Sequence, residues 1–197
     1  MSGEIFINYR SVDARSYAIL LYLSLSACFG ADAVFLDTES IPVGTDFPEQ
    51  LLHHIRHARV VLAVIGPNWL SPARSRRRRI RREDDWTFRE LAEAFTWDIR
   101  VVPVLADNAR LPTPRELPAH LAQLGRRQYR ALRIRDFRTD LDRITNDLIG
   151  LDPQLARMSS QRRTDLGGRQ WNLWRNTASI GRANQGADGM SYPPNPS

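Results

Sequence analysis

The stretch that most constrains the fold is RVVLAVIG, residues 59–66, because its interior is entirely apolar and rich in β-branched residues. The run is short and ends at a glycine, which favours a strand over a helix. A strand that is apolar on both faces has to be covered on both faces. The segment therefore predicts a central strand of a parallel sheet with helices packed on either side.

Other segments repeat this pattern along the chain. Short apolar runs typical of strands occur at EIFINY (4–9), AVFLD (33–37), IRVVPVLAD (99–107) and, more weakly, QYRAL (128–132). Amphipathic stretches separate or follow them: one after Ser11, which is a candidate N-cap, then residues 47–58, 84–95 and 135–151. Alternating strands and helices predict an α/β fold of the flavodoxin-like type, with a parallel five-stranded sheet and helices on both faces.

The chain of 197 residues has room for one ordinary domain and an extension. The alternating pattern ends near residue 150, and the following residues are rich in glycine, serine, asparagine and proline. We therefore expect one domain over 1–150 and a disordered tail or a truncated linker over 151–197.

The composition excludes several classes of protein. Cys28 is the only cysteine, so neither an internal disulfide nor a multi-cysteine metal site can form. All 28 residues counted as lysine or arginine are arginine, which excludes a lysine-dependent phosphate loop, Schiff-base chemistry and a phosphorylated receiver domain. The chain begins without a secretory signal, and its longest apolar-leaning run is too short to cross a bilayer. The expectation is a cytoplasmic protein without a membrane segment.

Polar and aromatic residues follow the predicted strands, where open parallel sheets bind their ligands. Tyr9, Arg10 and Ser11 come at the end of the first strand, and Asp37 ends the second. The helix that starts in DDWTFRELAEAF (84–95) carries Trp86 and Glu90. These residues are predicted to converge on one cleft.

Trp86 and Glu90 are four residues apart, so a helix places them on one face. A tryptophan beside a carboxylate suits a flat cationic heteroaromatic ligand that carries a ribose, since the ring stacks and the acid holds hydroxyls or stabilises a developing cation. The alternative is structural, with Trp86 in the core and Glu90 exposed to solvent.

Five stretches, in order, resemble the motifs of bacterial Toll/interleukin receptor (TIR) domains, and the resemblance covers about residues 3–150. They are IFINYRSVDA, VFLDTESIPVGTDF, RVVLAVIGPNWL, DDWTFRELAEAF and VVPVL. The W-x-x-x-E pattern in the fourth stretch is similar to that of TIR domains that cleave NAD+. The resemblance implies a TIR fold and an NAD+ glycohydrolase or cyclase.

The resemblance also implies roles for particular residues. Glu90 matches the catalytic glutamate, and Gly44 and Asp46 match a mobile loop that covers the cleft. The residues expected to bind the substrate are Tyr9, Arg10, Ser11, Asp37, Gly44, Asp46 and Trp86.

NAD+ would be the substrate rather than a cofactor, and neither a cofactor nor a metal is expected. Nicotinamide leaves as a neutral molecule without protonation, so one carboxylate can suffice where glycosidases use two. Attack by water on the ribose would give ADP-ribose. Attack by another group of the same NAD+ molecule would give a cyclic ADP-ribose isomer. By the same resemblance we expect activation by self-association, a sensor or signalling partner protein, and a role in signalling or in antiphage cell suicide.

Three alternatives remain open from the sequence. The first is a non-catalytic TIR adaptor, since a fold does not fix a function. The second is nucleic-acid binding through RSRRRRIRR (74–82), which is disfavoured because acidic residues follow at once and no aromatic residues interleave. The third is a metal site at His53 and His57, for which a surface or interface role is preferred.

Overall fold

Five short strands form one parallel sheet in the order β2-β1-β3-β4-β5. The computed structural model describes residues 4–11, 13–36, 47–70 and 85–165 of the chain. The strands are β1 (Ile5–Tyr9), β2 (Val34–Leu36), β3 (Val60–Ile65), β4 (Arg100–Ala106) and β5 (Arg130–Leu132). This order is that of flavodoxin-like doubly wound sheets and confirms the predicted fold. Each strand lies inside a predicted segment and is shorter than it by one or two residues at an end.

Helices follow the strands in the described ranges. They are α1 (Arg15–Phe29), α2 (Phe47–His57), α3 (Trp86–Thr96), α4 (Phe137–Leu151) and α5 (Pro153–Asp165). A further 3₁₀ segment, Ala119–Arg126, lies within the connection between β4 and β5. Its buried residues are Leu121 and Leu124, so it covers the sheet as the regular helices do.

The sheet separates two apolar layers. Side chains alternate along a strand, so Ile5 and Ile7 of β1 belong to one layer and Phe6 to the other. The first layer contains the buried faces of α1, α4 and α5. The second contains those of α2, α3 and the 3₁₀ segment. This assigns α3, and with it Trp86 and Glu90, to the same face of β1 as Phe6.

The start of α1 differs from the prediction. The N-cap residue is Ala14, and no side chain caps the helix, so the assignment of Ser11 as N-cap was wrong. A turn closes first, because the Ala14 N–H donates to the Arg10 carbonyl at 3.1 Å. This turn puts Ser11 three residues before the cap, exposed to solvent.

The described chain continues past residue 150 as α5, which the sequence pattern did not predict. Its buried side chains are Leu155 at 0% and Ser159 at 1% exposure, one helical turn apart, and Leu155 packs into the first layer. Met158 packs against the same layer, but two apolar residues are too few to give a helical pattern in the sequence. The division at residue 150 stays a prediction, and residues 166–197 lie outside the described ranges.

Candidate active site

The carboxylate of Glu90 lies against the carboxyl-terminal half of β1. Glu90 and Asn8 are both 0% exposed. The Asn8 amide nitrogen donates to Glu90 Oε2 at 2.6 Å and to the Thr87 carbonyl at 3.1 Å. Glu90 is therefore turned inward toward the sheet, and the alternative of a solvent-exposed Glu90 is wrong.

A second contact joins the end of β1 to the start of α3. The Arg10 guanidinium donates to Asp85 Oδ2 at 2.5 Å, with side chains only 12% and 18% exposed. Asp85 is the N-cap residue of α3, but its side chain makes no capping hydrogen bond. Arg10 takes that carboxylate instead and also lies 5.5 Å from the centre of the Phe88 ring. Asp84 lies outside the described residues.

Trp86 opens α3 one turn before Glu90. It is half-buried at the edge of the second apolar layer. The Arg89 guanidinium lies 4.4 Å from the centre of its ring, within the range of a cation–π contact. Trp86 thus packs against the second apolar layer, and its ring also contacts the Arg89 guanidinium.

The loops after β1 and β3 meet through Asp13. The Asn68 backbone N–H donates to Asp13 Oδ2 at 2.6 Å. A Cβ atom on Gly66 would stand 2.6 Å from the same carboxyl group, so a glycine is needed for this approach. Burial raises the pKa of Asp13, while the Asn68 N–H and the charge of Arg10 oppose the shift.

The structure brings together Arg10, Trp86 and Glu90 of the predicted site residues. Tyr9 is 4% exposed and packs in the first apolar layer, on the other face of the sheet from Glu90. Ser11 is exposed in the turn before α1. Asp37, Gly44 and Asp46 lie outside the described residues, so their roles, like that of Tyr9, stay predictions.

The sequence pattern missed Asn8 and Asp13. Asn8 stands inside an otherwise apolar run of residues 5–9, and a polar residue at a core position is itself a signal, because it needs a buried partner. Asp13 follows the same strand and gave no such signal, because its partner on the loop after β3 is 55 residues away.

Other candidate features show no comparable convergence. Within the described ranges, no group of three or more histidine, cysteine, aspartate or glutamate residues is placed to hold a metal ion. The His53 and His57 rings lie 4.0 Å apart, and His57 Nδ1 is 2.8 Å from the His53 carbonyl. Burial, with the neighbouring His53 and His57, lowers the pKa of His54. The arginine-rich stretch 74–82 lies outside the described residues.

A cavity of about 380 Å³ lies at the opposite edge of the sheet, where β3 and β4 begin. Its most prominent charged group, Arg59, is already bound by Glu4 at 2.6 Å, Asp152 at 3.0 Å and Gln154 at 2.5 Å. This network ties the chain before α5 to β1 and β3, so we assign it a structural role. Over the described residues, no helix is both long and apolar enough to cross a membrane.

The fold agrees with a comparison against known families. The family model described as TIR domain matches residues 5–145. The match covers most of the chain, and the protein belongs to the TIR domain family.

Among curated proteins, NAD(+) hydrolase sarm1 of Drosophila melanogaster is 29% identical over 124 residues. The matched segment is 62% of this chain and 8% of that protein, so the chain corresponds to a small part of its relative. Among solved structures, the TIR domains of the activated Roq1 resistosome directly recognizing the pathogen effector XopQ align with a TM-score of 0.56 and 16% identity. They cover 74% of this chain and 99% of that one, a similarity that shows the fold.

Proposed function

We propose that this TIR domain cleaves NAD+ between nicotinamide and ribose, as an NAD+ glycohydrolase or cyclase. The observation that carries the proposal is the placement of Glu90, buried on α3 and hydrogen-bonded by Asn8 of β1. Asn8 pairs with Ala63 of β3 in the sheet. The sheet order reverses between β1 and β3, and this switch point is where doubly wound sheets bind nucleotides.

The chemistry requires little more than a fixed carboxylate. The bond from the ribose C1′ to the nicotinamide nitrogen breaks, and its electron pair goes to the ring nitrogen, which becomes neutral. The ribose is left as an oxocarbenium-like cation that a nearby Glu90 carboxylate stabilises. Water then adds to C1′ and releases a proton to give ADP-ribose, or a nucleophile of the same molecule adds to give a cyclic isomer.

Neighbouring side chains have distinct tasks in this proposal. Trp86 provides a surface on which a flat base stacks, in place of or beside Arg89. Arg10 holds the start of α3 through Asp85 and adds positive charge near a pyrophosphate. Asp37, Gly44 and Asp46 belong to the proposed site through the resemblance of their motifs.

The burial of Glu90 bears on regulation. At 0% exposure the carboxylate touches a substrate only after neighbouring groups move aside. We therefore propose a resting state with a closed site, which self-association opens. The relative named as an NAD(+) hydrolase supports the activity, and the relative solved within a resistosome supports assembly.

The second candidate is a TIR domain that assembles or recruits partners without turnover. The structural relative, part of an assembly by its description, favours it. In either case the proposed setting is cytoplasmic signalling or antiviral defence, with a sensor or signalling protein as partner. The two candidates differ in whether NAD+ is consumed.

The deciding experiment incubates the full chain with NAD+ at low and at high protein concentration and separates the products by mass spectrometry. We expect nicotinamide with ADP-ribose or a cyclic isomer, and a rate per molecule that rises with protein concentration. Glu90→Ala should abolish the products. Glu93→Ala is the matched control, since this acid lies on the same helix but is bound by Arg56 at 2.5 Å and by Trp97 at 2.9 Å.

Equal NAD+ loss in the Glu90→Ala and wild-type proteins would remove Glu90 from the mechanism. No loss from the wild type at any concentration, with self-association still measured, would establish the assembly candidate instead.

A further inference from the structure

We propose that Asn8 is a positioning residue that fixes the orientation of the Glu90 carboxylate and supports its charged form for the reaction. This role rests on the proposed function, because it concerns the same site. Asn8 lies outside the residues that the TIR resemblance assigned to substrate binding, and its role follows from contacts in the structure.

The hydrogen bonds of Asn8 fix the orientation of its own amide. Its nitrogen lies 2.6 Å from Glu90 Oε2 and 3.1 Å from the Thr87 carbonyl. A carboxylate oxygen and a backbone carbonyl are both acceptors, so only the NH₂ end of the amide can face them. The two hydrogens of one amide group thereby bind two points of α3 that lie on one helical face.

Asn8 is buried among apolar residues, where an unbonded amide would be costly, so its contact with Glu90 is not accidental. Its side chain is 0% exposed, and the second layer around it is apolar, with Phe6 on the same face of β1. A polar side chain in such a place costs free energy unless its groups are bonded. A leucine of similar size would fill the space without that cost, so the amide at this position serves its partners on α3.

Two contacts with different roles join the end of β1 to the start of α3. Arg10, directly after β1, and Asp85, directly before α3, pair with each other at 2.5 Å. That pair fixes where the helix begins. Asn8 acts one turn further on, at the carboxylate itself, and donates hydrogen bonds without adding a charge. A donor of this kind favours the ionised form that a ribosyl cation needs.

The test is Asn8→Asp, which keeps the shape of the side chain and replaces the donor with a second acid. At pH 7.5 we expect NAD+ turnover to fall about 100-fold, the scale of a misplaced catalytic group. As the pH is lowered to about 5, the two facing acids share a proton, and an O–H donor is restored between them. Turnover relative to the wild type should then recover by about tenfold or more.

Stability provides a readout that does not depend on turnover. Urea unfolding of Asn8→Asp should show a deficit relative to the wild type at pH 7.5 that shrinks toward pH 5, because the folded pair binds a proton that the unfolded chain releases. Asn146→Asp is the matched control, since Asn146 is exposed on α4. It adds the same charge and should show neither effect.

A double variant, Asn8→Asp with Glu90→Gln, exchanges donor and acceptor. The glutamine amide introduced at position 90 can donate to the acid at position 8, so part of the stability lost at pH 7.5 should return. Turnover should be absent, because the acid then lies on β1 instead of on α3. This separates the contact from the chemistry.

A deficit of Asn8→Asp that is the same at every pH, in turnover and in unfolding, would overturn the proposal. If the wild type has no turnover, the proposed function fails, and a pH-dependent stability deficit would then reduce Asn8 to a structural contact. If the wild type turns over NAD+ and Asn8→Asp does so equally well, only the positioning role fails.

Discussion

Two buried carboxylates lie in different regions of this molecule and are held in different ways. Glu90, at the contact of β1 with α3, accepts a hydrogen bond from the neutral amide of Asn8. Asp140, at the contact of β5 with α4, is 2% exposed and accepts from the Arg133 side chain at 2.7 and 2.8 Å and from the Arg133 N–H at 3.1 Å. Arg143 adds a weaker contact to Asp140 at 3.5 Å.

The difference separates an acid that holds structure from an acid suited to chemistry. A guanidinium fork cancels the charge of the carboxylate that it binds and ties two elements together. An amide orients a carboxylate without contributing a formal charge. The β5–α4 region therefore uses its acid to join two elements, whereas in the proposed function the contact in the β1–α3 region orients its acid toward a cationic ligand.

The largest expected effect is on turnover. Glu90→Gln should lower NAD+ cleavage by about 1,000-fold or more, because the charge that stabilises the ribosyl cation is lost. Its stability should stay within about 1 kcal/mol of the wild type, since a glutamine oxygen still accepts from Asn8. Asp140→Asn should keep its turnover per folded molecule. Nicotinamide release measures the turnover of both variants, and urea unfolding measures their stability. Lost turnover in Asp140→Asn with normal turnover in Glu90→Gln would contradict the comparison.

The next effect is on stability. Asp140→Asn should lower the free energy of unfolding by about 1–2 kcal/mol, because the Arg133 fork loses its charged partner. The cost is moderate since the Arg133 side chain is 42% exposed and water screens it. Urea unfolding at pH 7 measures the loss. An unchanged urea midpoint would mean that the Asp140 carboxylate does not stabilise the contact of β5 with α4.

The same acid predicts a dependence on pH. Hydrogen bonds from Arg133 lower the pKa of Asp140 below its ordinary value of 3.8, against the opposing effect of burial. A lowered pKa in the folded state gives stability that is present above the unfolded value and is lost as the pH falls. The difference in unfolding free energy between wild type and Asp140→Asn should therefore shrink as the pH falls below about 4. A difference that is constant over this range would contradict the assignment.

The smallest effect on stability concerns Asp13. Its environment raises the pKa of the carboxyl group, whereas that of Asp140 is lowered. Burial raises its pKa, so the folded state binds a proton more readily than the unfolded one, and the charged form costs stability at neutral pH. Asp13→Asn should leave stability at pH 7 unchanged or raise it by less than about 1 kcal/mol, since an amide oxygen still accepts from Asn68. Thermal unfolding measures this, and a clear loss would show that the charge itself secures the loop.

Most of the fold was predictable because four of the five described strands are short runs of mostly apolar residues. Within the segment 59–66, β3 (Val60–Ile65) is buried over its whole length, and the alternation with helices is enough to predict a parallel sheet. What failed depends on contacts beyond the local pattern. Ser11 has the chemistry of a cap, but the turn from Arg10 to Ala14 decides where α1 begins. Helix α5 depends on packing against residues far away in the sequence.

For the candidate site, the sequence was sufficient to predict the helix that carries Trp86 and Glu90 but not what holds it. The four-residue spacing of Trp86 and Glu90 is a local pattern, so the sequence alone predicts that they share a helical face. The partners of this helix, Asn8 and Arg10, lie 82 and 75 residues from Glu90 and Asp85 along the chain. No local periodicity encodes such a pairing, although a polar residue within an apolar strand indicates that a partner exists.

The outer strands have a consequence for how copies of this domain meet. In the described sheet, β2 and β5 each have three residues, and Arg130 stands on β5. Edges so brief provide few unpaired backbone groups for a further strand, a feature that protects proteins from uncontrolled growth. In the self-association proposed above, we therefore expect copies to meet through helix surfaces and loops rather than by extension of the sheet.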